Sequence, residues 1–285
     1  MRAFYSDHLL VPLPHGYRFP MPKYALLLQA VRKAQIPGLE LCVSSPAGEE
    51  QILQVHTREY FTKVISGDLS EREIRRIGFP WSPELVVRSM HSVGGTIETC
   101  RAAFEDGIAV NLAGGTHHAY PDHGEGYCVF NDVAVAARTM QAEERVHRVV
   151  ILDCDVHQGN GSAAIFANDP TVFTFSIHGA KNFPFHKEHG DLDIALPDGS
   201  GDEAFLEAIY IAGADPYFED QLGRLAMTKD GLWERDRWVL SYCSSKGLPV
   251  AVVMGGGYAR EVEVVVAIHL QTIRIAAELA LTVPG

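Results

Sequence analysis

Asp155 and His157 stand two residues apart in the stretch Asp153-Cys154-Asp155-Val156-His157-Gln158-Gly159-Asn160-Gly161, directly after the apolar run Val149–Leu152. In extended chain, residues i and i+2 point the same way, so a carboxylate and an imidazole can share one ion. A third ligand must come from elsewhere, and Asp215, in Gly213-Ala214-Asp215 after a second apolar run, is the best candidate. One imidazole and two carboxylates with open positions suit a catalytic Zn²⁺, and such oxygen ligands also accept Fe²⁺, Co²⁺ or Mn²⁺. Taken alone, Asp-x-His reads more simply as a helix-capping Asp beside a surface His. The pair His117-His118 follows Gly114-Gly115, and Tyr258 follows Gly255-Gly256-Gly257. In isolation the first is two loop histidines and the second a flexible strand-to-helix loop with a half-buried Tyr. The glycines suggest instead that backbone must approach a ligand or a special turn closely. Eight of the thirteen histidines lie between 117 and 189, which suggests a metal or acid–base site.

All four polar stretches follow short apolar runs, and ligands of open parallel sheets bind at the carboxyl ends of the strands. The expected strands are Ala3–Tyr5, Leu39–Val43, Ile108–Leu112, Val149–Asp153, Val172–Ile177, Ile209–Ala212 and Val250–Met254. They are rich in Val and Ile and do not alternate, as expected of strands covered on both faces. Helical patterns lie between them, so the class is α/β with a parallel sheet. One helix runs from Ser82 to about Phe104, with Ser82 as N-cap, Pro83 in the first turn, and Val86, Met90, Val93, Ile97, Cys100 and Phe104 as one buried stripe. Within it, Gly94 and Gly95 would let another backbone come close. A second helix spans Lys229–Lys246 and ends at Gly247 in a left-handed cap. A third follows Tyr258 and runs to about Leu281. No linker or repeat breaks the chain, which reads as one domain over 1–285.

Composition narrows the class. Of 285 residues, 47% are hydrophobic and 21% charged, which fits a globular protein with a large core. The five scattered cysteines lack C-x-x-C, which points to a reducing compartment and away from a zinc finger. No apolar run approaches a membrane span, and Met1–Leu13 is interrupted by Asp7, His8 and Pro12, unlike a signal peptide. A cytoplasmic protein is expected. The formal charge of −12 argues against direct nucleic-acid binding and is compatible with cationic substrates.

His117-His118, Asp153-x-Asp155-x-His157-x-Gly159-Asn160-Gly161, Gly213-Ala214-Asp215 and Gly255-Gly256-Gly257-Tyr258 resemble, in order, the motifs of the zinc-dependent histone deacetylase family. Gly124-Glu125-Gly126-Tyr127-Cys128-Val129-Phe130-Asn131-Asp132 resembles that family's Gly-aromatic-Cys-x-x-Asn-Asp stretch. The segment from His15 to Tyr24 and the Gln158–Gly161 ending look most like bacterial and class IV members. The resemblance implies an arginase/deacetylase-type three-layer fold around an eight-stranded parallel sheet. It implies a hydrolase that removes acetyl or other acyl groups from lysine or related amines. Asp155, His157 and Asp215 would bind zinc, His118 would be the general base with His117 beside it, and Tyr258 would donate to the oxyanion. Asp153 would orient His117, and Asn160 would stand behind His118. Asp153 and Ser176 would match a structural K⁺ site. Gly126, Tyr127 and Phe183 would line the acyl-lysine channel.

Two departures from the family stand out. Asn160 replaces the Asp that class I members carry, so it can orient His118 without adding charge. Between Pro197 and Gly213 the chain is about one helix and its turn shorter, leaving the short strand Ile209–Ala212 to lead into Asp215. An apolar patch is expected beside that strand, covered by the loop Lys181–Ala195 or by a second chain in an oligomer. A one-residue slip of the strand would turn Asp215 away from His157. Three alternatives to the lysine deacylase remain. They are an acetylpolyamine or small-amide amidohydrolase, a binuclear arginase-like hydrolase, and an impaired binding or assembly protein. Gly159, where the binuclear class carries a second Asp, favours one metal.

Overall fold

The computed structural model describes residues 1–6, 11–14, 16–203 and 212–281. His15 of the N-terminal motif, residues 204–208 of the crossover and most of the expected strand Ile209–Ala212 fall outside these residues, as does any apolar patch beside that strand. Seven strands form among the described residues: β1 Arg2–Tyr5, β2 Glu40–Val43, β3 Ile108–Asn111, β4 Val149–Asp153, β5 Val172–Gly179, β6 Leu192–Leu196 and β7 Val250–Val253. They pair in parallel as two sheets, β2-β1-β3-β7 and β4-β5-β6. A parallel bridge between Gly213 and Gly255 joins the Asp215 segment to the chain just past β7. Six of the seven expected strands thus form and pair in parallel, as two sheets among the described residues rather than the single eight-stranded sheet the resemblance implies; the seventh, Ile209–Ala212, lies mostly outside those residues.

One strand differs from expectation. Leu192–Leu196, expected within a covering loop, is β6, paired with β5 from Phe175↔Leu192 to Gly179↔Leu196. The run is short, carries Asp193 and sits at a sheet edge, so its apolar signal is weak.

Helices pack on these sheets: α1 Lys23–Ala34, α2 Glu49–Ile52, α3 Arg58–Ser66, α4 Glu71–Ile77, α5 Pro83–Asp106, α6 Asp132–Ala142, α7 Asn160–Phe166, α8 Lys229–Ser245 and α9 Val262–Ala280. α1, α8 and α9 cover one core with Leu28, Val110, Ile177, Leu240 and Ile273. α5 and α6 enclose a second with Tyr60, Val93, Ile97 and Phe130. α8 ends one residue early, and Gly247 at φ 64° turns the chain so that Leu248 N–H reaches Cys243 O at 3.0 Å. No helix among the described residues is long and apolar enough to cross a membrane.

α5 begins as its sequence predicts, with Ser82 Oγ accepting from Leu85 N–H at 3.2 Å and Pro83 in the first turn. Its middle is buried all round, Val93 to Ile97 without a break, while Phe104 lies at the surface beneath the Arg145 guanidinium. The stripe therefore fades near the C-terminus. The helix packs against α6 on one side and β1, β3 and β7 on another. Gly94 is where the Ser44–Ala47 segment crosses it: a Cβ there would sit 2.0 Å from Ser45 O and 2.7 Å from Ala47 N. Intrinsic helix propensity favours Ala over Gly by about 1 kcal/mol. A clash with backbone costs more, because overpacking typically costs about 1–3 kcal/mol even against movable side chains. Gly94→Ala is therefore expected to lower stability by at least about 1 kcal/mol net, read as a lower urea midpoint at unchanged m-value. An equal or higher midpoint would show that the crossing segment yields freely.

Candidate functional site

Three buried side chains converge where β4 ends. Asp155, His157 and Asp215 each offer a ligand atom, all within 4.8 Å of one another. The local chain explains their aim. Asp153 Oδ1 accepts from Asp155 N–H at 3.1 Å, Asp155 Oδ1 from His157 N–H at 2.9 Å, and Asp215 Oδ1 from Val156 N–H at 3.0 Å. These bonds wind the chain after β4 so that His157 Nδ1 lies 2.9 Å from Asp155 Oδ1 and 3.4 Å from Asp215 Oδ2. The Asp215 segment is held from behind, where Arg235 Nη1 donates to Gly213 O at 2.8 Å. Arg235 is itself paired with buried Asp236, which accepts from Thr272. Asp215 therefore faces His157, as it would not after a one-residue slip.

The donor set fits a cation. Asp215 Oδ2 is buried and accepts no hydrogen bond among the described residues, facing only the His157 ring at 3.4 Å, a costly condition for a carboxylate oxygen unless something positive faces it. Gly256 roofs the same spot: a Cβ there would lie 2.0 Å from Asp215 Oδ2 and 2.6 Å from Asp155 Oδ2. Its φ of 45° also favours glycine. Two carboxylates and one imidazole, with space kept clear by a glycine, match a divalent metal of the zinc class.

The two histidines approach from the end of β3. Their loop is clamped at the N-terminus of α6. Asp132 accepts from Gly115 N–H, Thr116 N–H and the Thr96 and Thr116 hydroxyls at 2.5–3.1 Å. Asn131 caps α6 through Ala134 N–H and donates to His117 O at 3.3 Å and Ala119 O at 3.1 Å. The His117 and His118 rings lie 4.1 Å apart, and His118 meets His157 edge-on at 5.9 Å. His117 Nδ1 pairs with Asp153 Oδ2 at 2.5 Å, and His118 Nδ1–H donates to Asn160 Oδ1 at 2.6 Å. The two environments push the rings apart. Burial opposes a charge on His117, but the charge and hydrogen bond of Asp153 outweigh it and raise the imidazole to about 9. Burial, with the neighbouring charges of His117 and His157, holds His118 well below the usual range.

Tyr258 comes from the end of β7, its ring 6.4 Å from that of His157 at 84°. Burial, then the charges of Asp215 and Asp155, hold its phenol well above the usual range, so it remains a hydroxyl. Two residues outside the sequence expectations place this loop. Asp220 accepts from Tyr258 N–H at 2.6 Å, and burial plus the charge of Asp215 push its carboxyl up to about 6. Lys23, buried at the start of α1, donates to Gly256 O at 2.5 Å. Asp220 carries no local motif that would flag it; Lys23 lies within the His15–Tyr24 segment, which does not show its partner.

The remaining expected residues divide. Gly126 at φ 56° stands against the His118 ring, where a Cβ would lie 2.7 Å from Cδ2 and 3.0 Å from the Phe183 ring. Phe183 meets His118 edge-on at 5.0 Å. The Tyr127 ring lies tilted against those of Phe19, Phe79 and Tyr258, with centroids 5.2–6.3 Å apart. Ser176 is the register partner of Asp153 across β4 and β5, and its Oγ shares a hydrogen bond with His178 Nδ1 at 2.9 Å. Both Asp153 carboxylate oxygens are engaged, by His117 and Asp155.

An uncharacterized protein of Picosynechococcus sp. is 42% identical over 293 residues, covering 96% of this chain and 98% of that protein. The acetoin utilization protein AcuC of Staphylococcus aureus is 27% identical, covering 89% of this chain and 75% of its own. The crystal structure of a histone deacetylase homologue from Aquifex aeolicus superposes with a TM-score of 0.79 at 21% identity, over 98% of this chain and 83% of that one, which establishes a shared fold. The family model for the histone deacetylase domain matches residues 18–273, a span that holds every side chain of the site just described, and the chain belongs to that family.

Proposed function

We infer that the protein is a metal-dependent deacylase that hydrolyses the amide of an acylated lysine or a related amine. The observation that carries this reading is the buried, unbonded Asp215 Oδ2 beside Asp155 and His157. These three residues would hold one Zn²⁺, with Fe²⁺ or Co²⁺ as replacements. A binuclear site is disfavoured at position 159: a Cβ there would strike Asp153 Oδ2 at 2.3 Å, so no second carboxylate fits. The ion, when bound, supplies Lewis acidity that ionises water near neutral pH and polarises a carbonyl.

The chain's own groups do the rest. His118 commits Nδ1–H to Asn160, which leaves Nε2 to take a proton from water and return it to the leaving amine. His117, kept protonated by Asp153, adds positive charge beside the reacting carbonyl. Tyr258 donates its hydroxyl to the developing oxyanion, a contact strongest in the transition state. Gly126, Phe183 and Tyr127 flank the aliphatic stem of the acylated amine with flat faces. Asp153 and Ser176, with nearby main-chain carbonyls, would form a structural K⁺ site. All five cysteines are free thiols, which supports a reducing, cytoplasmic setting. A peptide substrate and a small acylated amine are separated by turnover of the zinc-loaded protein on acetyl-lysine peptides, long-chain acyl-lysines and acetylpolyamines. No turnover on any of them would reject the deacylase reading.

Two substitutions test the assignment. His157→Ala removes the imidazole from the set, and elemental analysis is expected to show zinc falling from about one per chain to a trace, together with loss of turnover. Full occupancy in that variant would place the metal elsewhere. Tyr258→Phe is expected to fold and retain zinc while kcat falls ~10²–10³-fold, the usual effect of losing one oxyanion donor. A near-native kcat would remove Tyr258 from the reaction.

A further inference from the structure

His118 leans on an amide, and an amide can face an imidazole in two ways. Its oxygen can accept from Nδ1–H, or its NH₂ can donate to a bare Nδ1. Only the first leaves Nε2 with a lone pair for a proton. The orientation of Asn160 therefore decides which tautomer His118 adopts, and that orientation needs a cause.

The cause lies on the far side of the amide. Asn160 Nδ2 donates to the Tyr120 hydroxyl at 3.2 Å, and Tyr120 O–H donates to Glu188 Oε1 at 2.9 Å. A carboxylate only accepts, so the phenol must spend its proton on Glu188 and can only accept from Asn160. A flipped amide would set two acceptors against each other. Every link from His118 Nδ1–H to Glu188 thus runs in one direction, and bonds aligned this way polarise one another.

Both outer members are held in place. Buried Gln158 binds the Glu188 main chain in both directions, accepting from its N–H at 2.9 Å and donating to its carbonyl at 2.8 Å. Tyr120 stacks on His123 at 4.5 Å with the rings 13° from parallel, and its N–H donates to His123 O at 2.9 Å. Burial and the Glu188 hydrogen bond raise the Tyr120 phenol, so it stays a donor.

We propose that Tyr120 and Glu188 are positioning residues that fix the Asn160 amide and thereby hold His118 in the Nδ1–H tautomer. The proposal rests on the reading of His118 as the base. It supplies what Asn160 lacks: the carboxylate absent directly behind His118 stands two hydrogen bonds further out.

The test pairs kinetics with nitrogen NMR on the zinc-loaded, ¹⁵N-histidine-labelled protein, with His118 assigned by its loss in His118→Gln. Native protein should show Nδ1 protonated and Nε2 bare. Tyr120→Phe and Glu188→Ala should give a mixture of tautomers and lower kcat about tenfold with KM within about twofold, as for other outer-sphere partners of active-site histidines. Glu188→Gln can still accept from Tyr120, and should recover most of the loss seen in Glu188→Ala. An unchanged tautomer in Tyr120→Phe and Glu188→Ala would overturn the proposal, whether or not kcat fell. The tautomer is read without turnover, so it decides this proposal even in a protein that hydrolyses none of the amides offered.

Discussion

Two carboxylates, Asp155 and Asp215, are buried side by side, and each spends one oxygen on a main-chain N–H. That leaves negative charge facing inward where water does not compete, a state a folded chain tolerates only with a cation opposite. Much of the surrounding structure answers this constraint. The parallel strands bring separate loops to one edge of the sheets. Arg235 grips the carbonyl of Gly213 from behind, and the glycine at 256 keeps a side chain out of the space between the carboxylates.

The same constraint separates the two histidines. Asp153 turns one oxygen to the chain ahead of Asp155 and the other to His117, so His117 is paired with a charge. His118, a ring's width away, is paired with an amide and stays neutral. Separate strand ends thus deliver a metal ligand set, a charged imidazole and a neutral one. Tyr258 closes the other side, with its backbone tied to Asp220 and the carbonyl of Gly256 tied to Lys23. Both tethers come from distant sequence, which suits a glycine-rich loop that cannot hold its own shape.

Much of this was legible in the residues. Apolar runs followed by Gly, His and Asp mark strand ends, and parallel sheets collect strand ends on one side. The N-cap of α5 follows from Ser82-Pro83. Asp155 and His157 do meet, but not through an extended period of two: the chain bends over 155–157, wound by the bonds to Asp153 and Asp155. What was not legible lies in long-range pairing. β6 is short, acidic and at an edge, so nothing in Leu192–Leu196 distinguishes it from a loop until β5 lies beside it. α7 is only seven residues, too short to show a helical period, yet it carries Asn160. Asp220 acts through backbone groups far away in sequence, and hydrogen bonds of that kind leave no spacing to read; Lys23 and Asn131 lie in motif stretches that do not show which carbonyls they hold. Phe104 shows the opposite failure: the period continues past the point where the neighbouring elements end.

The central claim is that Asp155, His157 and Asp215 hold one metal. Anomalous diffraction from crystals of the zinc-loaded protein, collected across the zinc edge, tests it most directly. A single peak is expected at about 2.0–2.2 Å from His157 Nδ1 and from one carboxylate oxygen each of Asp155 and Asp215. A protein that retains zinc but places the peak elsewhere, or shows a second peak of equal height beside the first, would contradict it.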